Sequence, residues 1–503
     1  MAYRVYWMRK FLFTYSLLAV LLFPFAELMG QASVSYDSVK RKMEETVSQL
    51  PQEATVRIID IQLSGHKVTK DYIVLREVSF TKGTVLPVKD LLKTIEKARL
   101  DIINTQLFLE VLPGLRILSE QEIEVFFVLK ERWYIFPIPY FKMVDRNLNQ
   151  WIVEQNASLE RVNYGLKFNW ENVSGRRDKL SFRYINGYSR QYLLSYEQPF
   201  ADKKLEKGFL FSINYTSNRQ ASFATDSNKQ VFYPANNNQI NDFVRTAFKA
   251  EAGFSYRKGV KHRHYLRVGY VNERLADTIS RIIQQNASKG YLPFFADNKT
   301  RQAFGEISYN YQYYDLDNIP YPLKGFAFNG TFLQRGLGAK GMNLWQFNGK
   351  AGKYIPLGKT TYTSFYGVGT LKLPFNQPMY NMPAMGYGDL YMQGLEYYVI
   401  DGVMAGMLRT TVAQELFRVN VPTFIIKDEK YRKIPFRVLA KVYANIGGAY
   451  TPFYATGMLN NRLLYTYGAG LDILSYYDFT ARIDYSFNQL GEKGLFLHVR
   501  KDF

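Results

Sequence analysis

The sequence contains no cysteine among its 503 residues. This absence excludes a disulfide scaffold, a cysteine-based zinc site, a thiol nucleophile and a lipoprotein anchor. Long apolar runs are also scarce, since only the run near the N-terminus approaches the ~20 residues that a membrane-spanning helix needs. With a mean hydropathy of −0.24, the composition argues against a polytopic helical membrane protein.

Charged residues make up only 21% of the chain, and histidine occurs four times. His262 and His264 are the only histidines near each other, and no Ser/His/Asp set or phosphate-binding loop stands out. We therefore predict a protein that is not an enzyme and that holds no metal and no cofactor. Aromatic residues are abundant instead, with 40 Tyr, 37 Phe and 5 Trp, which excludes a disordered chain.

The single long apolar run has the layout of a secretory signal peptide. Three basic residues within the first ten positions precede the run at 11–25, and small residues follow it. Pro24 interrupts the run, which disfavours the alternative of an uncleaved N-terminal anchor. We predict a signal peptide over 1–30, and then a polar, helix-compatible linker without an apolar core over 31–54.

Residues 55–131 mix helical and strand periodicities and predict one small α+β domain. Apolar residues at helical spacing favour a long helix over 88–105. A turn is expected at Pro113-Gly114. The full predicted order is strand 56–63, helix 69–77, helix 88–105, strand 108–112 and strand 123–129.

From 132 to 503 the pattern changes to long alternating strands, and we predict an all-β transmembrane barrel. Period-2 segments of ~10 residues with aromatic ends are typical of such barrels, whereas strands of a soluble sandwich are shorter. Sixteen segments can be counted, and the longest gaps, at 219–242, 276–302 and 373–406, all follow odd-numbered strands. One connection on the opposite side, Val419–Pro435, is longer than this parity predicts.

Short motifs in 55–131 resemble a POTRA domain, the polypeptide-transport-associated module. Ile58-Ile59-Asp60-Ile61 with Ser64-Gly65-His66 resembles its opening, Asn104–Phe108 its third-strand entry, and Val125–Glu131 its closing strand. One POTRA domain followed by sixteen strands resembles the BamA/TamA-like outer-membrane assembly and translocation superfamily, with its bacterial surface-antigen barrel. The Tyr/Asn-rich composition is similar to that of Bacteroidetes members.

The loop over 373–406, here called loop six, lies where this family has its Arg-Gly-aromatic motif. Gln393-Gly394-Leu395 aligns with that motif, so that Gln393 replaces the arginine. Asn445, followed by Gly447, aligns with the aspartate of the family's aromatic-x-Asp-x-Gly motif, and Glu415 with its acidic partner. The resemblance implies that the loop is held inside the barrel, with Gln393 and Asn445 as a neutral amide pair. The alternative is that both are ordinary polar lumen residues.

The last predicted strand alternates apolar and polar residues and ends on an aromatic side chain. Leu495, Leu497, Val499 and Phe503 share one face, and they resemble the C-terminal signal by which barrels are recognised for assembly.

The resemblance leaves three functions open: insertion and assembly of outer-membrane proteins, a structural subunit of an outer-membrane complex, or a polypeptide translocation pore. It implies location in the outer membrane with a periplasmic POTRA domain. The implied partners are outer-membrane lipids and lipopolysaccharide, together with client proteins or periplasmic accessory proteins. We attribute the formal net charge of +20 to surfaces that face acidic lipid or client groups, and we predict no nucleic-acid binding.

Overall fold

A computed structural model describes residues 36–143, 162–234, 242–388, 390–422, 433–453, 457–475 and 478–499. The predicted signal peptide and Phe503 therefore lie outside the described residues. Four α-helices are present in these ranges: α1 Tyr36–Ser48, α2 Asp71–Leu75, α3 Val88–Ile103 and α4 Asp277–Gln285. None of the helices in the described ranges combines the length and the apolar character that crossing a bilayer requires.

The N-terminal part forms the predicted small α+β domain. Its sheet has the order β2-β1-β4-β3, with β1 parallel to β4. Ile58, Leu91, Ile95 and Phe127 are completely buried between this sheet and α3, so the domain has an ordinary apolar core. The strands are β1 Thr55–Ser64, β2 Val85–Pro87, β3 Phe108–Ser119 and β4 Glu122–Glu131.

Three details of this domain differ from the sequence prediction, the first being the short strand β2, which the predicted order lacks. The segment predicted to be a linker without an apolar core contains α1, whose Met43 and Val47 are buried in the core cluster of the small domain. The turn predicted at Pro113-Gly114 is instead continuous strand, paired with Phe127 and Phe126. Gly114 leaves room for the Phe126 ring, since a Cβ atom at this position would lie 2.1 Å from it.

The rest of the described chain forms a sixteen-stranded antiparallel sheet, as predicted. Two short hairpins, β10/β11 (Ala221–Asp226 and Lys229–Tyr233) and β18/β19 (Pro383–Met385 and Ile400–Asp401), lie in loops outside it. The sixteen strands are β5 Ile135–Met143, β6 Val162–Glu171, β7 Lys179–Gly187, β8 Ser189–Gln198, β9 Lys207–Asn218, β12 Arg245–Tyr256, β13 His262–Leu275, β14 Arg301–Leu316, β15 Gly325–Leu337, β16 Leu344–Pro356, β17 Thr361–Leu373, β20 Met404–Pro422, β21 Lys433–Tyr450, β22 Leu464–Leu474, β23 Thr480–Asn488 and β24 Lys493–Val499.

Contacts between strands that are far apart in the ladder show that this sheet is curled into a barrel. Arg132, just before β5, forms an ion pair of 2.6 Å with Asp478, in the turn between β22 and β23. The Tyr321 hydroxyl, in the turn after β14, donates to Asp472 on β22 at 2.8 Å. Over the described residues the ladder ends at β5 on one side and at β24 on the other; we call the gap between these two strands the seam.

The alternation of residues along the strands places polar side chains inside the barrel and apolar side chains outside it. Phe211 and Leu497 are 57% and 70% exposed on the outer surface. Lys441, Asp484 and Glu306 are buried on the inner wall and form ion pairs there. This arrangement is the reverse of the small domain, whose apolar residues face inward.

Of the connection predicted at 419–435, residues 419–422 belong to β20 and residues 433–435 to β21, and the ten residues between them lie outside the described residues. The β20/β21 ladder continues to the pair Pro422 and Lys433, whereas the neighbouring β17 begins opposite Gln414. The two paired strands therefore extend past the rim on the side of the small domain.

Candidate functional site

The small domain covers one mouth of the barrel by contacting its short turns. Arg76, just after α2, donates to the carbonyl oxygens of Leu205 (2.6 Å) and Arg257 (2.8 Å), which belong to two different turns. Glu77 is completely buried and accepts two hydrogen bonds from the Arg257 guanidinium, at 2.8 and 2.7 Å. Burial alone would raise the pKa of Glu77, but the charges of Arg257 and Arg76 outweigh it and lower the pKa below its ordinary value.

Two further polar contacts fix the same domain at other points of the rim. Asn104 donates to the carbonyl of Leu316 at 2.9 Å and accepts from the backbone N–H of Ile319 at 3.0 Å. Thr69 accepts from the Asn172 amide at 2.9 Å and donates its hydroxyl to Glu131 at 2.6 Å. The domain is thus bound to turns on several sides of the mouth, which sets its orientation.

Loop six, which the strand bounds place at 374–403, is held beside the wall by a buried cation. The Lys372 ammonium, at the end of β17, donates to the backbone carbonyls of Pro383 (2.6 Å), Gly402 (3.2 Å) and Met382 (3.3 Å). These three carbonyls belong to both arms of the loop. One side chain of the barrel wall therefore joins the descending and the returning part of loop six.

The middle of loop six lies inside the lumen against β23. Gln393 is 3% exposed, and its amide donates to Asp484 at 2.6 Å. Asp484 also receives the Lys441 ammonium at 2.8 Å, so the loop joins an ion pair of the wall. The next residue, Gly394, has φ +93°, and a Cβ atom there would meet Ser486 at 3.1 Å. The motif needs glycine at this position because the loop backbone lies directly on the wall.

The sequence prediction of a Gln393–Asn445 amide pair is not what the structure shows. Asn445 accepts from Arg409 at 2.8 Å and donates to Thr466 at 2.9 Å, both on neighbouring strands. Glu415 lies near the rim, where it pairs with Arg418 and Arg437. It is six residues from Arg409 along β20, or about 20 Å. The three polar residues are therefore all on the lumen side but have separate partners.

Leu395 and Gly447, two further members of the predicted motifs, contribute by packing. Leu395 is 4% exposed and belongs to an apolar cluster that joins loop six to the wall. Gly447 allows close approach of β20, since a Cβ atom there would lie 2.5 Å from the Gly406 carbonyl oxygen.

Loop six also contacts β24, the edge strand at the seam. Glu396 lies 3.2 Å from His498, and the Tyr397 ring lies 5.5 Å from the Phe496 ring. Leu495 and Leu497 occupy the opposite, outer face. The side chain of Val499 lies outside the described residues, so the C-terminal strand signal stays a prediction. The loop thus contacts the inner face of β24. The edge of β24 that faces away from β23 has no ladder partner among the described residues.

The other side of the seam, β5, lacks two backbone donors. The Glu171 N–H donates to the Tyr134 carbonyl at 2.8 Å, and this pair is in register with the β5/β6 ladder. In an antiparallel ladder the bonded pairs alternate, so even-numbered residues of β5 bond to β6 and odd-numbered residues face the seam. Pro137 and Pro139 therefore remove two N–H donors from the seam edge.

The opposite mouth is covered by loops that meet at Asn228, in the β10/β11 turn. Its amide donates to the Val399 carbonyl at 3.2 Å and to Asn460 at 2.9 Å, and it accepts from the Leu459 N–H at 3.0 Å. Three loops are joined by this one side chain. Sequence reasoning missed Asn228, Asp484 and His498; the only signal was that Asp484 and His498 occupy polar positions of alternating strands.

Comparison with known proteins gives structural matches only. The sequence matches no family model, and no characterised protein matches it in sequence. A solved structure of BamA from Haemophilus ducreyi lacking POTRA domains 1–3 is 14% identical, with 88% of this chain and 83% of that chain covered and a TM-score of 0.47. CdiB from Escherichia coli is 11% identical, with 90% and 75% covered and a TM-score of 0.48. CdiB from Acinetobacter baumannii is 12% identical, with 88% and 73% covered and a TM-score of 0.46.

Proposed function

We propose that this protein is a bacterial outer-membrane barrel with a periplasmic POTRA domain, and that it assists the insertion and assembly of other outer-membrane proteins. The membrane part rests on the outer surface of the barrel. Large apolar side chains stay exposed on strands around the ladder, such as Leu194 (55%), Phe211 (57%) and Val442 (56%). An exposed apolar surface of this size is normally covered by a partner or by lipid. Because these side chains form a belt around the barrel, lipid is the surrounding that fits them.

Aromatic pairs lie at both ends of this belt, as expected at the two surfaces of a bilayer. Tyr313 and Phe326 are 6.1 Å apart near the small domain, and Phe332 and Trp345 are 5.6 Å apart near the loops. We expect the mature protein to fractionate with outer membranes and to run faster unboiled than boiled on gels. Recovery in the soluble periplasm without this heat shift would contradict the membrane proposal.

The assembly role rests on one observation, the donor-poor edge at Pro137 and Pro139. A seam with two fewer hydrogen bonds opens at lower cost, since each ladder bond contributes about 0.5–1.5 kcal/mol. An opened seam exposes strand edges that can pair with a client strand. Loop six, which braces β24 from inside, would keep the barrel folded while the seam is open.

The test combines depletion with complementation. Depleting the protein should lower the amounts of a set of outer-membrane proteins, and wild type should restore them. The variant Pro137→Val/Pro139→Val regains both donors, so it should assemble with a normal heat shift but restore its clients less well. Ile138→Val, which changes the same strand without adding a donor, is the control and should complement fully.

The seam mechanism and the assembly role can be contradicted by different results. Full complementation by the double proline variant would contradict the seam mechanism. Depletion that leaves outer-membrane proteins unchanged but blocks release of a polypeptide outside the cell would contradict the assembly role and favour translocation. A cavity of about 390 Å³ between loop six and β15–β17, lined by Asn348, Thr370 and Tyr387 among others, is the feature that favours this second function.

A further inference from the structure

Four arginines gather where the small domain meets the barrel mouth, and in the part of the chain that the structure describes they have too few carboxylates to pair with. Arg76 and Arg257 share the buried carboxylate of Glu77. Arg177, in the turn between β6 and β7, and Arg263, on the inner face of β13, lie within electrostatic range of Arg257. The cluster is built from the small domain and three separate parts of the barrel.

Arg76 and Arg257 are fully engaged, but Arg177 and Arg263 are not. Among the described residues, neither of these two guanidinium groups has a hydrogen-bonded or ion-pair partner. The Arg263 Nε atom is buried without an acceptor, and its guanidinium carbon lies 5.1 Å over the Tyr314 ring. A buried donor left unpaired destabilises the folded protein, and more so when the group is charged.

Nearby acidic groups do not remove this imbalance. Glu197, on the inner face of β8, acts on Arg177 from a distance. Asp101, on α3, lies near Arg257 and Lys261, but burial and Glu77 raise its pKa to about 6. Burial first, and then the charge of Arg257, lower the pKa of Arg177. Four guanidinium groups thus face three carboxyl groups, and among the described residues only the carboxylate of Glu77 is hydrogen-bonded to any of the four.

We propose that Arg177 and Arg263 form a binding site for an oxyanion group, phosphate or carboxylate, at the junction of the small domain and the barrel. A guanidinium offers two parallel N–H donors, which suit the paired oxygens of both groups. The anion would complete the pairing that Glu77 provides only for Arg76 and Arg257. This inference is independent of the proposed function, because it concerns binding by the isolated full chain.

The test is calorimetric titration of the detergent-solubilised full chain with inorganic phosphate, against sodium chloride at equal ionic strength. Wild type should bind phosphate saturably. Arg177→Gln and Arg263→Gln should each weaken binding by about tenfold or more, the effect of losing one charge-assisted bond. Arg176→Gln is the matched control in the same turn, since Arg176 donates to the exposed hydroxyl of Tyr72 at 3.1 Å, and should bind as wild type does.

A second titration with tetraglutamate identifies the source of the oxyanion. Tighter binding of tetraglutamate than of phosphate would assign the site to polypeptide carboxylates, and the reverse to phosphate groups. The proposal is overturned if wild type gives no saturable binding to either probe, or if Arg176→Gln weakens binding as much as Arg177→Gln. The wild-type titrations decide the matter even if a variant fails to show the heat shift of a folded barrel.

Discussion

The small domain and the barrel use the same alternation of side chains in opposite senses. In β4 of the small domain, Phe127 is completely buried and the domain excludes water from its interior. In β9 of the barrel, Phe211 is 57% exposed, while the interior holds ion pairs such as Lys441–Asp484 at 2.8 Å. A strand pattern therefore determines which residues share a face, but the surroundings determine whether the apolar face is the core or the surface.

The largest expected effect comes from replacing a phenylalanine by alanine in each of the two regions and comparing the loss of stability. Phe127→Ala removes a completely buried ring and should cost the small domain about 3–5 kcal/mol of unfolding free energy. Phe211→Ala should change barrel stability far less, because detergent or lipid replaces the lost contact. The stability of the small domain is measured by limited proteolysis, and the stability of the barrel by the midpoint of its heat shift. Equal losses would mean that the outer face of the barrel is packed like a core.

The next effect concerns the junction that joins the two regions. Glu77→Gln leaves Arg257 buried with a neutral partner in place of its carboxylate, and breaking such a pair costs about 3–5 kcal/mol. We expect the small domain to become protease-sensitive while the heat shift of the barrel is retained. Glu171→Gln, which breaks the exposed pair with Lys179, should change either readout little. Loss of the barrel heat shift in Glu77→Gln would show that the two regions fold as one unit.

A third prediction concerns how loop six is held in the polar interior. Gln393 bonds to Asp484 and not to Asn445, so a double-mutant cycle of Gln393→Ala with Asp484→Ala should show a coupling of about 0.5–3 kcal/mol. The cycle of Gln393→Arg with Asn445→Asp should be additive. The quantity to measure is the resistance of loop six to external protease. Coupling in the second cycle and additivity in the first would restore the amide pair that the sequence suggested.

The sequence predicted correctly which face of a strand a side chain lies on, but it did not predict which residues that side chain contacts. Sixteen strands and the inward position of Asn445 follow from period 2, which is a local property. That Gln393 reaches Asp484, 91 residues away, depends on the path of a loop across the lumen, and no periodicity encodes it. Met43 and Val47 were missed for a related reason, since two apolar residues in a polar helix form a stripe too narrow to indicate burial.

The smallest expected effect concerns the small domain alone, and it is a pH dependence of its stability that arises from the partly buried carboxyl group of Asp101. Burial first, and then the charge of Glu77, raise the pKa of Asp101 to about 6, above the value of ~3.9 in an unfolded chain. Between these values the folded domain binds more protons than the unfolded one, so its stability should fall as pH rises from 4 to about 6 and then level off. Asp101→Asn removes this term and should stabilise the domain at pH 8 by about 1 kcal/mol, after allowance for solvent screening of a half-buried group. At pH 4 the variant and wild type should have nearly equal stability, because the wild-type carboxyl is then largely protonated in the folded domain.

The measurement is the urea midpoint of small-domain proteolysis at both pH values. Asp90→Asn, an exposed change on the same helix, is the control, and an equal gain in that variant would show that helix charge, not burial, sets the effect.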